Sequence, residues 1–310
     1  MLLAQPNDVS QMYFYHGGDY SSKDRVGKCA PMSHNGMMGT WMFRDELQLT
    51  EVNVPRAALQ FARTLAYPDH NVADYMSRLH ELSERATDYV ADDRPVAEQA
   101  DRLAAFLFDK LGFRGNSAAY QDPRNSFLNE VLDRRLGIPI TLSTVYVDIA
   151  LRLGIPAFGI GLPGHFIAGV HGPEADIWLD PFHGGRRLDL NDCAEIIHSA
   201  IGYEGPLEAS WFAPATGRDT IARMLANLRA SYVSSASWAK AAEVIQLLRQ
   251  AQPEEMAHLR DLGLVYYHQR QLSKAAHYLN NYLSFAPDAA DAQTIRDGMK
   301  HILDEWVPMN

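Results

Sequence analysis

Residues 222–255 and 256–289 superimpose at an offset of 34. The alignment pairs Leu225 with Leu259, Leu228 with Leu262, Tyr232 with Tyr266, Ala241 with Ala275, Ile245 with Leu279, Leu248 with Tyr282 and Pro253 with Pro287. Large apolar, aromatic, small and proline positions recurring at one fixed interval describe stacked supersecondary units, each of which buries its apolar face only against a neighbour. Small residues such as Ala241 and Ala275 let the two helices of a unit approach closely, and the prolines close the second helix. Two units rarely suffice alone. DAQTIRDGMKHILDEWV should therefore cap the array as a helix over 290–307, and the array should lean on whatever lies upstream.

This pattern resembles the tetratricopeptide repeat. Gly263 matches that family's glycine, and Arg229 departs from it in the first unit. The resemblance implies an all-α array that takes a protein or peptide on its concave face. Here that face would carry Arg223, Ala226, Asn227 and Ala230, followed by Arg260, Leu264 and Tyr267. Arg223 and Asn227 are four apart and so neighbours on one helix face. Their spacing resembles the basic-plus-asparagine clamp with which some such arrays grip a C-terminal carboxylate. Exposed Arg and Asn are otherwise simply solvated.

Upstream, residues 1–45 are rich in Met, Gly, Ser, Asp and Tyr without periodicity, and read as an extension, disordered or packed on the body through its aromatics. From about residue 51, VNVPRAALQFARTLAY, HNVADYMSRLHELSERATDYV and RPVAEQADRLAAFLFDKLGF keep apolar residues at helical spacing. SFLNEVLDRRLG predicts a short helix, capped by Asn125 and closed by Gly137. IPITLSTVYVDIALRLG predicts another, with Pro139 in its first turn. Strand-like runs follow over 156–188 (PAFGIGL, HFIAGV, IWLDPF, GRRLDL), then a helix LNDCAEIIHSAIGY with Asn191 or Asp192 as its cap. Helices succeeded by a few antiparallel strands indicate an α+β domain over 46–205, with the repeats occupying 206–310.

PGHFIAGV and IWLDPF place a histidine on one strand and an aspartate at the end of the next. A carboxylate so placed fixes the imidazole tautomer and steadies its charged form. Taken together, NSFLNEVL, GIPITLS, PGHF and LDPF resemble the transglutaminase-like domain of the SirB-type bacterial family, which joins that domain to C-terminal tetratricopeptide repeats. In active members of the wider superfamily a cysteine opens the helix before these strands, because a helix N-terminus and an adjacent base both favour the thiolate. His165 and Asp180 match the second and third members in order and spacing. The nucleophile position falls near Pro139, and 138–154 contains no cysteine.

Four other arrangements remain open at this point. Ser143 or Thr141 could serve as an oxygen nucleophile at the same helix, although hydroxyls there commonly cap or pack. Cys29 has Lys28 beside it but lies in a Gly/Pro-punctuated segment, and Cys193 falls within a helix as packing. His165, Asp180 and His183 have the donor types of a metal site, without a helical HxxxH or cysteine spacing to support one, so no metal or cofactor is expected. The simplest alternative is a structural His165–Asp180 hydrogen bond inside an inherited fold. Asn125, Asn129 and Arg124 are expected to border the same cleft.

The balance of charges narrows the function classes. A net charge of −10 with no basic run disfavours nucleic acid and anionic membranes as partners. Two cysteines give no disulfide framework and fit a reducing cytoplasm, and no apolar run reaches membrane-spanning length. The sequence thus predicts a cytoplasmic, non-catalytic interaction or regulatory protein. The alternatives are a hydrolase or acyltransferase built on Ser143, His165 and Asp180, and a purely architectural role.

Overall fold

A computed structural model of the chain describes residues 42–91 and 93–306, with side chains as far as residue 300. The expected extension, and Cys29 with it, lies outside the described residues up to Trp41. Its last residues do not belong to it: Phe43–Leu47 forms a short helix (α1) that buries Phe43 and Leu47.

Helix α2 (Val54–Leu65) starts where Asn53 accepts the backbone N–H of Arg56 and Pro55 occupies the first turn. Its Ala57, Ala58, Leu59, Phe61 and Ala62 are all completely buried. Helix α3 (Val72–Val90) is capped by Asn71 and buries Val72, Leu79, Ser83, Ala86 and Val90 at intervals of three, four and seven, the stripe of a surface helix. Helix α4 (Val96–Ala104) runs on as a π-helical turn, Ala105–Lys110. A two-stranded parallel pair then forms between β1 (Arg114–Gly115) and β2 (Leu136–Gly137), which no sequence periodicity announced. Between them lies α5 (Leu128–Arg134). It is closed by Arg135 in the left-handed region (φ 58°) rather than by Gly137, which β2 takes up.

Helix α6 (Pro139–Arg152) is the axis of the domain. Ten of its fourteen residues are buried, because α2, α3 and α4 pack on it from one side and a sheet from the other. That sheet is antiparallel in the order β3 (Ala157–Ile160), β4 (Ile167–Val170), β5 (Ile177–Asp180) and β6 (Arg186–Leu188). Successive side chains alternate between its faces. Ala157, Ala168, Val170 and Leu179 join the main core, while Phe158, Ile160, Ile167 and Leu188 join a second core. That second core is closed by Cys193 and Ile197 of α7 (Leu190–Ile201). With both faces covered, β4 reads as a continuous buried run. Helix α7 takes Asp189 as its cap rather than Asn191 or Asp192, since the Asp189 carboxylate and the Asp192 N–H bond reciprocally with the Asp192 carboxylate and the Asp189 N–H.

The repeats are two helix pairs, α8 (Gly217–Ser234) with α9 (Trp238–Ala251) and α10 (Ala257–His268) with α11 (Leu272–Phe285), followed by α12 (Ala292–Trp306). The period extends to the backbone. Ala236 and Arg270, at equivalent positions, are both left-handed (φ 52° and 60°), and Ser237 N→Tyr232 O recurs as Gln271 N→Tyr266 O. Gly263 lets α10 meet α11, because a Cβ there would lie 2.5 Å from Leu279 Cγ. Gly263→Ala should therefore lower the urea midpoint with an unchanged m-value, at about 1–3 kcal/mol of overpacking.

The array is not a separate body. Ile221, Met224, Leu225 and Leu228 of α8, with Val244, Leu247 and Leu248 of α9, belong to the same core as Phe61, Phe127 and Tyr146.

Candidate active-site cleft

His165 follows a tight turn in which Gly164 is left-handed (φ 73°) and the His165 N–H reaches the Leu162 carbonyl at 3.2 Å. Its imidazole is mostly buried, and Asp180, at the end of β5, is completely so. His165 Nε2 lies 3.1 Å from Asp180 Oδ1, and His183 Nδ1 lies 2.6 Å from Oδ2. Phe182 N–H also donates to Oδ1, because Asp180 caps the 3₁₀ turn Pro181–His183. Burial alone would raise the Asp180 pKa. The hydrogen bonds and charges of the two imidazoles outweigh it and hold the carboxyl down at about 2.

Helix α6, which packs against the 3₁₀ turn after Asp180, begins with Pro139. Thr141 Oγ1 accepts the Ile138 N–H and donates to the Asn125 carbonyl, so its hydroxyl is engaged in closing this helix start. Ser143 Oγ donates to the Phe166 carbonyl at 3.3 Å, not to His165, and is completely buried. Cys193 is inside the second core, where burial pushes its thiol up to about 12. An oriented imidazole is present, and each hydroxyl near it on α6 is occupied by a backbone carbonyl.

Asn125 is not the cap of α5, a place taken by Phe127. Its Nδ2 donates to the carbonyls of Ala119 and Tyr120, and its Oδ1 accepts from Asn116 and Arg134, so it holds the 116–125 loop in shape. That loop reaches the cleft through Tyr120, packed edge-on against Phe182 with ring centroids 5.9 Å apart. Asn129 is buried on α5, and its Oδ1 has no hydrogen-bond partner among the described residues. Arg124 pairs with Asp122 on the surface.

Among the residues expected on the repeat face, Arg223 alone is brought to the cleft. Its Nη2 donates to the carbonyls of both Leu162 and His165, each at 2.6 Å, and the guanidinium sits 5.6 Å over the Phe166 ring. Asn227 is half-buried on α8. Arg260 spans Asp261 and Asp291, each at 2.8 Å, and so ties α10 to the entry of α12, while half-buried Tyr267 packs edge-on against His268. Sequence reasoning missed the contribution of Arg218, which donates to the Leu47 and Ala251 carbonyls, and of Lys240, which donates to the Leu65 carbonyl at 2.8 Å. The bonds to Leu47 and Leu65 join residues more than 170 positions apart, and no local pattern encodes them.

Two family models match the chain. Residues 73–226 match the transglutaminase-like superfamily, and residues 228–300 match a tetratricopeptide repeat. A UPF0162 protein of Xylella fastidiosa is 37% identical over 205 residues, covering 65% of this chain and 73% of that protein. The chain belongs to the UPF0162 family. The Escherichia coli member YchA is 26% identical over 250 residues, 79% of this chain and 90% of its own. Human F-box only protein 21 shares 31% identity over 136 residues, 41% of this chain but 21% of that protein. The likeness to that larger protein is therefore confined to one segment. No solved structure matches the chain significantly. Among the described residues, no helix is long and apolar enough to cross a membrane.

Proposed function

We propose that this UPF0162 member is a non-catalytic interaction or regulatory protein of the cytoplasm. Its transglutaminase-like half keeps the oriented histidine, and its repeats hold a protein or peptide partner. The observation that carries this reading is the start of α6. Pro139 stands where the resemblance would put a nucleophile, and Ser143 Oγ is turned to the Phe166 carbonyl. A serine nucleophile needs its hydroxyl on the base, and here it is spent on backbone. Tetratricopeptide repeats generally mediate protein–protein contacts. The part of the repeat surface open to a partner is that of α10 with Leu264 and Tyr267, since Arg223 on α8 is engaged with the body.

Amide and ester substrates offered to the full chain should be turned over no faster than by His165→Ala. A rate that depends on both His165 and Ser143 would restore the hydrolase or acyltransferase reading. Crosslinking of cellular partners to the full chain should weaken in Tyr267→Ala, and capture of the same partners at undiminished yield counts against this face.

A further inference from the structure

The geometry points to a divalent transition-metal site formed by His165 Nε2, the Asp180 carboxylate and His183 Nδ1. These donor atoms come from three neighbouring points of one hairpin and its following turn, and all lie within 4.8 Å of one another. A tetrahedral ion with nitrogen and oxygen ligands at about 2.0–2.2 Å holds its donors about 3.3–3.5 Å apart. His165 Nε2 is already 3.1 Å from one carboxylate oxygen and His183 Nδ1 is 2.6 Å from the other, so small side-chain rotations suffice to admit an ion.

Three further observations favour an ion over a hydrogen-bonded pair. Orienting a base takes one imidazole on the carboxylate, yet here a second converges on it, the two rings lying 6.1 Å apart and 24° from parallel. Asp180 is fully buried and carries its own supporting donor, the Phe182 N–H, as liganding carboxylates do. His183, with 55% of its side chain exposed, leaves the site open to solvent on one side for entry and for a further ligand. Two neutral imidazoles and one carboxylate, with no thiolate, suit Zn²⁺, Co²⁺ or Fe²⁺ rather than Cu⁺ or Ca²⁺. The site is independent of which partner the repeats hold. Its spacing gave no sequence signal because the first ligand lies fifteen residues before the second, across a strand pairing.

The test uses the full chain, stripped with a chelator and titrated with Co²⁺ as a spectroscopic probe for Zn²⁺. Saturable ligand-field absorption at a single equivalent is expected, displaced by Zn²⁺, with a Tm that rises on adding Zn²⁺ and returns with EDTA. His183→Ala, at an exposed position and checked for fold by circular dichroism, should weaken Co²⁺ binding at least about 10-fold. His171→Ala, which removes an exposed histidine elsewhere on the hairpin, should not. Absence of ligand-field bands at saturating Co²⁺ overturns the proposal. So do bands that persist in both His183→Ala and Asp180→Asn, which would place the ion elsewhere.

Discussion

A chain cut after Thr216, retaining the transglutaminase-like half without α8–α12, is expected to lose cooperative unfolding altogether. Helix α8 packs on α2, on α6 and on the 123–126 turn, and it does so with Ile221, Met224, Leu225 and Leu228, all completely buried. Burying each such side chain stabilises by about 1.5–3 kcal/mol, so the four together contribute about 6–12 kcal/mol, as much as the whole net stability of an ordinary domain. Val244, Leu247 and Leu248 of α9 add to the same core. Losing the array also removes the donors of Arg218, Arg223 and Lys240, leaving the carbonyls of Leu47, Leu65, Leu162 and His165 without those partners. Urea unfolding followed by circular dichroism, with limited proteolysis in parallel, decides the matter. A truncated chain that unfolds in one sharp transition and resists protease as the full chain does would show that the two halves are separate folding units. The expected failure also bears on partner experiments: a repeat fragment exposes the apolar face of α8 and reports stickiness rather than recognition.

Much of this organisation is legible in the sequence, and what is not has a common cause. The repeats, the helices α2, α3 and α6, and the order of strands carry apolar residues at a period that the local chain imposes on itself. The His165–Asp180 pairing was legible in the order of the motifs, although His165 sits in the turn before β4, outside the register that pairs Ala168 with Leu179. The misreadings lie where the residue that took a role was not the one its neighbours in sequence single out. Asn125 looks like a helix cap from its neighbours, yet its amide finds Arg134 and Asn116 and becomes the centre of a loop. Gly137 looks like a helix stop, but Arg135 turns left-handed first and frees Gly137 to pair with Gly115. Asp189 takes the cap from Asn191 and Asp192 because Asp192, three positions on, returns its bond and is itself drawn into the first turn. Arg223 is the largest case. Its spacing to Asn227 suggests an outward-facing clamp, and only the docking of α8 on the body turns it inward.

That docking makes Arg223 the second position where a single change should have a large effect. Arg223→Met keeps most of the side-chain volume over Phe166 and removes the guanidinium. It leaves the Leu162 and His165 carbonyls, on buried residues, without their charged donor. Hydrogen bonds to charged groups contribute about 1.5–3 kcal/mol each, and with Arg223 only partly buried the expected loss is about 2–4 kcal/mol. Arg223→Lys keeps the charge but not the planar group from which one nitrogen serves both carbonyls, so it should recover only part of this. Stability alone does not distinguish a loop anchor from generic packing, so the deciding measurement is local. Amide exchange at His165 and Phe166, and the imidazole ¹⁵N shifts of His165, should change in Arg223→Met well below the denaturant concentration that unfolds the chain, because the anchored turn also sets how the imidazole meets Asp180. A variant that melts with the wild type and leaves the His165 signals in place would mean that the turn holds itself. If instead the signals move, a displacement of α8 by anything bound to the repeats has a direct mechanical route, through a single side chain, to the histidine of the cleft.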